Sequence, residues 1–265
     1  MEKQKQKGSL RVSKAKNPLT EEQKLKRFKN QFGGMTEEEV CARGLPDYLR
    51  PDLDLVFIGI NPSLSAAYSG KYYDGSGNHF WQALHLSGFI PHPMGPHDDS
   101  KMMDFNIGFT NVVARTTRGI ADLKKSEIRE GAEILREKLA KHKPKIAVFN
   151  GKAIYEVYSG KKKFMFGKQP EKMEGTDTWV WVMPSSSARC AQLPRAIDKV
   201  PFYEALKKFR DFVTGKSDEP HEEEIVFANV ALKNFPKKSA IKVEPKEENE
   251  TEEKQGGDSI EKLLT

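Results

Sequence analysis

Short apolar runs alternate along the middle of the chain with segments whose apolar residues recur at helical spacing. The runs are five to seven residues long, which is typical of buried strands, and they lie at 53–59, 109–113, 145–150 and 179–183. The helical segments lie at 79–87, 126–141 and 201–213. This alternation predicts an α/β fold of three layers, in which helices cover both faces of a central, mostly parallel sheet.

The segment 126–141 has the most regular helical pattern. Ser126 is the expected N-cap, because a serine hydroxyl can accept a hydrogen bond from the first free backbone N–H groups of a helix. The pattern predicts an inner face made of four residues: Ile128, Ile134, Leu135 and Leu139.

Charge divides the 265 residues into three regions. Residues 1–30 hold ten basic and three acidic residues and predict a disordered basic arm. This arm is either a solvated tail, a nonspecific tether to DNA phosphates or a nuclear localisation segment. Residues 31–215 contain every predicted strand and helix and form the expected catalytic domain. Residues 216–265 hold thirteen acidic and eight basic residues and predict a mostly disordered acidic tail.

Several classes of protein are excluded by composition. No apolar run approaches the roughly 20 residues that span a bilayer, and Met1–Lys16 is too polar for a signal peptide. The two cysteines, Cys41 and Cys190, cannot build a disulfide framework, so a reducing compartment fits. The histidines show no metal-ligand spacing, and His92 and His97 before two aspartates are only a weak candidate. We therefore expect neither a metal nor an organic cofactor.

Three polar segments follow predicted strands, where open α/β sheets bind their ligands. They are Gly59–Ser63, the stretch from Gly108 through Thr117, and the stretch from Met183 through Pro194. Each alone is explained equally well as a turn or a polar loop. Because the carboxyl ends of parallel strands share one edge, we expect the three segments to meet.

The same segments resemble the mismatch-specific uracil/thymine DNA glycosylase family, the thymine DNA glycosylases, of the uracil-DNA glycosylase superfamily. The resemblance covers about residues 28–212. It rests on an ordered set of motifs: GINP at 59–62, AAY at 66–68, GSGNHFW at 75–81, GFTN at 108–111, RTT at 115–117, AVFNGK at 147–152 and MPSSSARCAQ at 183–192.

The resemblance implies a monofunctional enzyme that flips a nucleotide out of the duplex and hydrolyses the bond between base and sugar. Expected substrates are thymine or uracil opposite guanine, and also formyl- or carboxylcytosine, which would start base excision repair and DNA demethylation. By the same resemblance Asn61 positions the attacking water and the Thr117 hydroxyl helps to hold it. Asn111, Tyr73 and Asn78 are expected in the base pocket.

One position departs from the family pattern. The family commonly carries two adjacent histidines where this chain has Lys71 and Tyr72, and the second contacts the base. Tyr72, expected in the base pocket, has no group that titrates near neutral pH. We therefore do not expect a histidine-linked pH dependence or strong carboxylcytosine activity to carry over.

The last motif is the expected DNA-binding loop. By resemblance, Arg189 enters the base stack and fills the space of the flipped nucleotide, while Ala188 and Pro194 sense the guanine left behind. Ser185 and Ser187 are short donors suited to phosphates. Outside these roles, we assign His79 to a helix start, Trp81 to the core, Cys190 to structure and Lys199 to solvent rather than to a phosphate contact.

The tail carries two short motifs for the small modifier SUMO. Ile241–Glu244 fits the attachment pattern and makes Lys242 the candidate site of modification. Residues 222–227, acidic and then apolar, fit a strand that adds to a SUMO sheet. The alternative for 222–227 is a final helix or strand packed on this domain.

The remaining expectations follow mainly from the resemblance. We expect a nuclear monomer that binds double-stranded DNA containing G·T or G·U mismatches, with SUMO, its conjugating enzyme, an abasic-site endonuclease and transcription regulators as partners, and no membrane. Two alternatives remain open: a uracil-only glycosylase, and a non-catalytic DNA-binding scaffold that recruits chromatin or transcription partners.

Overall fold

A computed structural model describes residues 20–227 and contains one six-stranded sheet with the strand order β2-β1-β3-β5-β4-β6. The strands are β1 (Leu55–Gly59), β2 (Ile107–Asn111), β3 (Ile146–Asn150), β4 (Phe166–Lys172), β5 (Trp179–Met183) and β6 (Val226–Phe227). The pairs β1–β2, β1–β3 and β3–β5 are parallel, whereas β4 pairs antiparallel with β5 and β6.

Helices cover both faces of this sheet. They are α1 (Glu21–Gln31), α2 (Glu37–Cys41), α3 (Leu64–Ser69), α4 (Phe80–Leu86), α5 (Lys125–His142), α6 (Lys152–Ser159), α7 (Val200–Val213) and α8 (Glu222–Ile225), with 3₁₀ turns at Pro96–Phe105 and Ile120–Asp122. In the described part of the chain, no helix is both long and apolar enough to cross a membrane.

Alternation along the strands builds two hydrophobic cores, because successive side chains point to opposite faces. Phe57 of β1 belongs to the core shared with α4 and α7, and its neighbours Val56 and Ile58 belong to the core shared with α5 and α6. Every one of these three side chains is fully buried. The predicted three-layer α/β architecture with a mostly parallel sheet is therefore confirmed.

Two details predicted for α5 are wrong. The helix begins before Ser126, and the residue at its N-cap is Lys124, which makes no side-chain cap bond. Ile134 is 51% exposed, so it does not belong to the inner face. Gly131 and Ala132 are buried there instead. A Cβ on Gly131 would lie 2.2 Å from the Val112 carbonyl oxygen, so close packing at this point excludes any larger residue.

The predicted disordered arm does not extend to residue 30. Helix α1 occupies residues 21–30 of the predicted arm and starts with a capping box between Thr20 and Gln23. Phe28 and Phe32 pack next to each other, and the Phe32 ring makes an edge-to-face contact with Tyr68 of α3. The charge count hid this helix because its sequence is mostly polar and none of its residues is buried. Residues 1–19 lie outside the described residues.

The acidic tail also begins later than predicted. Residues 222–227 form α8 and β6, and β6 pairs with β4, so the packed alternative is the one observed. Gly167 makes the contact feasible, since a Cβ there would lie 2.1 Å from the Ile225 carbonyl oxygen. The folded unit therefore runs past residue 215. Lys242 and the rest of the predicted tail lie outside the described residues.

Candidate active site

The Asn61 amide lies just beyond the carboxyl end of β1 and is held in one orientation. Its Nδ2 donates to the Arg115 carbonyl oxygen and to Oγ1 of Thr117, each at 2.8 Å. A backbone carbonyl can only accept, so the nitrogen must face Arg115. Both amide hydrogens are thus engaged within the protein, which leaves Oδ1 of this half-buried residue as an acceptor.

Thr117 fixes Asn61 rather than acting as a free hydroxyl. Its side chain is nearly completely buried, and Oγ1 donates its hydrogen to the Gly119 carbonyl oxygen at 2.8 Å. The oxygen must therefore accept from Asn61. The hydroxyl hydrogen is already used, and only one lone pair of Oγ1 remains. The expected role of Thr117 in holding a water is therefore limited to accepting a hydrogen bond from it.

An ion pair braces the segment that carries the Arg115 carbonyl. The Arg115 guanidinium bonds both carboxylate oxygens of Glu127 and also donates to the Asp122 carbonyl oxygen at 2.9 Å. The hydrogen bond from Arg115 lowers the pKa of Glu127 to about 2, assisted by the Lys124 backbone N–H. The pair is therefore charged at every pH at which the protein is expected to work.

Asn111 ends β2 directly beside Gly59 of β1. A Cβ on Gly59 would lie 2.4 Å from Asn111 Oδ1, so the missing side chain makes room for the amide. Asn111 Nδ2 lies 3.4 Å from the Tyr72 hydroxyl oxygen and donates to it. The structure thus brings together two of the residues predicted for the base pocket, next to Gly59, which lies two residues before Asn61.

Tyr72 is buried, and burial raises the pKa of its phenol well above the ordinary value. Its ring stacks on Phe109, and its backbone N–H donates to Asp99 at 3.1 Å. Asp99 is fully buried and also accepts from Lys71 at 3.0 Å. Sequence reasoning considered Asp99 only as part of a weak metal candidate with His92 and His97, and it missed that Asp99 anchors the turn carrying Tyr72.

Tyr73 and Asn78 border a cavity of about 450 Å³ that does not reach Asn61 or Asn111. Tyr73 adopts a positive φ of 56°, and its ring stacks on Phe80 at 3.9 Å between centroids. Its hydroxyl is buried, and this burial raises the pKa of Tyr73. Asn78 Oδ1 accepts from the Phe80 backbone N–H at 3.0 Å, which leaves the Nδ2 hydrogens as donors.

Residues 185–194, here termed the serine loop, pair with the glycine-rich segment that precedes α4. Asn78 and Ser187 form a β-bridge, and the Ala188 N–H donates to the Gly77 carbonyl oxygen at 2.6 Å. The His79 N–H donates to the Ser186 carbonyl oxygen at 2.9 Å. The third predicted segment therefore meets the base-pocket residues, as expected from its place after β5.

The exposed part of the serine loop carries the residues predicted to contact DNA. Ser185 and Ser187 accept from the backbone two residues further on, which leaves each hydroxyl hydrogen as a donor. Arg189 and Pro194 are exposed, and Ala188 is half-buried. Sequence reasoning missed Asn150, a buried residue whose Nδ2 donates to Ser186 Oγ at 3.1 Å and fixes the base of the loop.

Lys199 was expected in solvent, and this expectation is wrong. Its side chain is fully buried, with Nζ 2.5 Å from the Leu193 carbonyl oxygen and 3.1 Å from His79 Nδ1. His79 does stand at the start of α4, and Trp81 is buried in the core, as predicted. Within 20–227, no group of three or more His, Cys, Asp or Glu residues could hold a metal ion.

The structure is thus an α/β protein with amides, hydroxyls and an exposed arginine at the carboxyl edge of a mostly parallel sheet. The two carboxamides at this edge, Asn61 and Asn111, are both held by hydrogen bonds. The chain belongs to the uracil DNA glycosylase superfamily, whose sequence model matches residues 46–210, more than half of its length. Its activity class is accordingly that of a DNA N-glycosylase, a hydrolase of DNA repair.

A comparison with solved structures matches this chain to a protein from Methanosarcina acetivorans, described as a candidate uracil DNA glycosylase and determined by solution NMR. It shares 22% sequence identity with this chain and gives a TM-score of 0.44. The match covers 62% of this chain and 98% of the archaeal chain.

Proposed function

We propose that this protein is a mismatch-specific DNA glycosylase that flips uracil or thymine opposite guanine and excises it by hydrolysis. The observation that carries the proposal is the fixed Asn61 amide. Its nitrogen is held by Arg115 and Thr117, so its oxygen is presented as an acceptor in one position.

The reaction needs a water placed against the sugar, because the anomeric carbon gains oxocarbenium character as the base departs. Asn61 Oδ1 accepts a hydrogen bond from this water and orients it. A neutral amide is a weak base, so the rate depends on orientation and on the leaving ability of the base. Uracil and pyrimidines with electron-withdrawing 5-substituents are the better leaving groups, and thymine is the poorer one.

Mismatch preference is assigned to the serine loop. A mispaired base costs less to extrude than a paired one, and Arg189 is exposed on the loop that would enter the stack. Ala188 and Pro194 lie on the same loop and contact the unpaired guanine in this proposal. Ser185 and Ser187 retain hydroxyl hydrogens for the phosphates beside the flipped nucleotide.

The Tyr72–Asn111 contact favours a second candidate, a uracil-only enzyme. The buried phenol lies 3.4 Å from the pocket amide and stays neutral, so it adds bulk and no charge. If that bulk excludes a 5-methyl group, thymine is not a substrate. Formyl- and carboxylcytosine extend the proposal to DNA demethylation, and Tyr72 makes carboxylcytosine the weakest of the proposed substrates.

The biological setting is part of the proposal. We place the protein in the nucleus as a monomer that begins base excision repair and hands its product to an abasic-site endonuclease. SUMO, its conjugating enzyme and transcription regulators are proposed partners through the tail that contains Lys242. A purely non-catalytic scaffold is the competing class, and it does not require the Asn61 arrangement.

The test is single-turnover base release by the full chain from duplexes with U or T opposite G and the same bases opposite A. Release from G·U and G·T with little from A·U and A·T supports the proposal. Release from G·U alone supports the uracil-only enzyme. Tight binding of the mismatched duplex without release of any base supports the scaffold.

A further inference from the structure

Lys199 is unusual because a fully buried lysine is almost always paired with a carboxylate. Within the described part of the chain, no carboxylate lies within ion-pair distance of its Nζ. The ammonium instead donates to the Leu193 carbonyl oxygen and faces His79 Nδ1. Burying a charge for these two acceptors is costly, so the arrangement calls for a role beyond packing.

The two acceptors connect Lys199 to opposite ends of the serine loop. Leu193 stands near its end and is held by Lys199 directly. Ser186 stands near its start, and its carbonyl oxygen accepts from the His79 backbone N–H. His79 thus touches the start of the loop through its backbone and Lys199 through its ring. The exposed Arg189 lies between the two tied points.

We propose that Lys199 and His79 are positioning residues for the serine loop, which hold Ser186 and Leu193 so that Arg189 is presented to the duplex in one geometry. In this view they set the preference for mismatched over paired substrates without touching the base or the water. The effect on catalysis rests on the proposed function. The clamp, by which we mean the contacts of Lys199 and His79 with Leu193 and Ser186, is a property of the free protein.

The charges around the pair are compatible with this role. Burial lowers the pKa of Lys199 and of His79, and for His79 the nearby Lys199 adds to the effect. Asp198, which is paired with Arg195, acts in the opposite direction on the pKa values of both residues. Cys190 also acts in the opposite direction on the pKa of Lys199. At neutral pH His79 is therefore uncharged, and its Nδ1 can accept from the ammonium.

The first test is tryptic cleavage after Arg189 in the free, full-length protein. Lys199→Met keeps most of the side-chain volume and removes the donor. Its matched control is Lys207→Met in α7, the helix that Lys199 precedes, where Nζ is paired with Asp211. We expect cleavage after Arg189 to accelerate roughly ten-fold in Lys199→Met and to stay unchanged in the control, because proteolysis reports local opening. Unchanged cleavage in Lys199→Met would overturn the inference.

A pair of His79 variants covers the case in which Lys199→Met does not fold. An asparagine side-chain oxygen reaches about the position of a histidine Nδ1, so His79→Asn keeps an acceptor, whereas His79→Leu does not. We expect native-like cleavage after Arg189 in His79→Asn and fast cleavage in His79→Leu. Equal cleavage in these two variants contradicts the clamp.

The second test asks whether Lys199 acts through Arg189. The readout is the ratio of single-turnover rates for uracil opposite G and opposite A. We expect Lys199→Met and Arg189→Ala each to lower this ratio about ten-fold, and the double variant to equal Arg189→Ala, since residues in one unit are not additive. Multiplied effects would overturn the inference. If the native protein releases no base, the proposed function fails, and the cleavage test still decides on the clamp.

Discussion

Asn61 Nδ2 and Thr117 Oγ1 lie 2.8 Å apart, and the Thr117 hydroxyl donates its own hydrogen bond to the Gly119 carbonyl oxygen. The threonine is therefore an obligate acceptor for the asparagine. This relationship leaves the Asn61 oxygen as the free end of the amide. It also gives Thr117 a part in orienting the Asn61 side chain, beside the expected role in holding a water.

Replacing Thr117 tests this relationship. Valine has nearly the same shape but neither accepts from Asn61 nor donates to Gly119, so Thr117→Val should slow single-turnover release from G·U by about ten-fold or more. It should also lower the free energy of unfolding by about 1–3 kcal/mol, because the buried Gly119 contact is lost. Thr117→Ser keeps the hydroxyl and is the matched control. A valine variant as active as the serine variant contradicts the orienting role.

Glu127→Gln tests the brace behind the Arg115 carbonyl. The pKa of Glu127 in the folded protein, about 2, lies below the ordinary value of 4.5. The carboxylate therefore stabilises the folded protein above about pH 4.5, and this contribution is lost as the pH falls toward 2. Between pH 6 and 8 the native group does not titrate. We expect Glu127→Gln to reduce the rate of release from G·U by the same factor across that range. A loss that varies with pH in this interval would show that another titrating group depends on Glu127.

Gly59→Ala tests the packing that makes room for Asn111. The added methyl would lie 2.4 Å from Asn111 Oδ1, so the amide must move. We expect about a hundred-fold slower base release, since small displacements of a recognising group are costly. Gly44→Ala, which meets no atom within 4 Å, is the control and should keep the native rate. A native rate of base release in Gly59→Ala would contradict the placement of Asn111 in the base pocket.

Gly167→Ala tests whether the acidic segment 222–227 is available to a partner. In the folded chain β6 is already paired with β4, so a SUMO sheet must compete with that pairing. The substitution adds a methyl 2.1 Å from the Ile225 carbonyl at a residue with a φ of 95°. We expect faster hydrogen exchange in 222–227 and tighter SUMO binding by titration calorimetry. Faster hydrogen exchange in 222–227 without any gain in SUMO affinity would count against this segment as the SUMO-binding strand.

The parallel core of the fold was readable because its strands are short, apolar and bounded by turns. Trp179–Met183 appears at the predicted positions, and β1 ends at Gly59 as expected. The antiparallel strand β4 was missed because Phe166–Lys172 is mostly polar and contains a proline, a pattern typical of a loop. Its place in the sheet depends on pairing with β5 and with β6, whose Phe227 lies opposite Phe166.

The candidate site was readable as a set of segments but not as a set of contacts. Sequence reasoning placed Asn61, Thr117 and Asn111 at one edge, and the structure confirms that their segments meet. It did not identify Asp99 or Lys199, since both look like surface residues in a polar stretch. Their burial depends on acceptors and donors supplied by other elements, which no local pattern records.

The central claim is that the fixed Asn61 oxygen orients the attacking water. The most direct measurement compares single-turnover release from a G·U duplex by the native protein and by Asn61→Ala, with binding to the same duplex measured in parallel. We predict a loss of at least about a hundred-fold in rate with binding changed by less than about three-fold. Release by Asn61→Ala at the native rate would contradict the account.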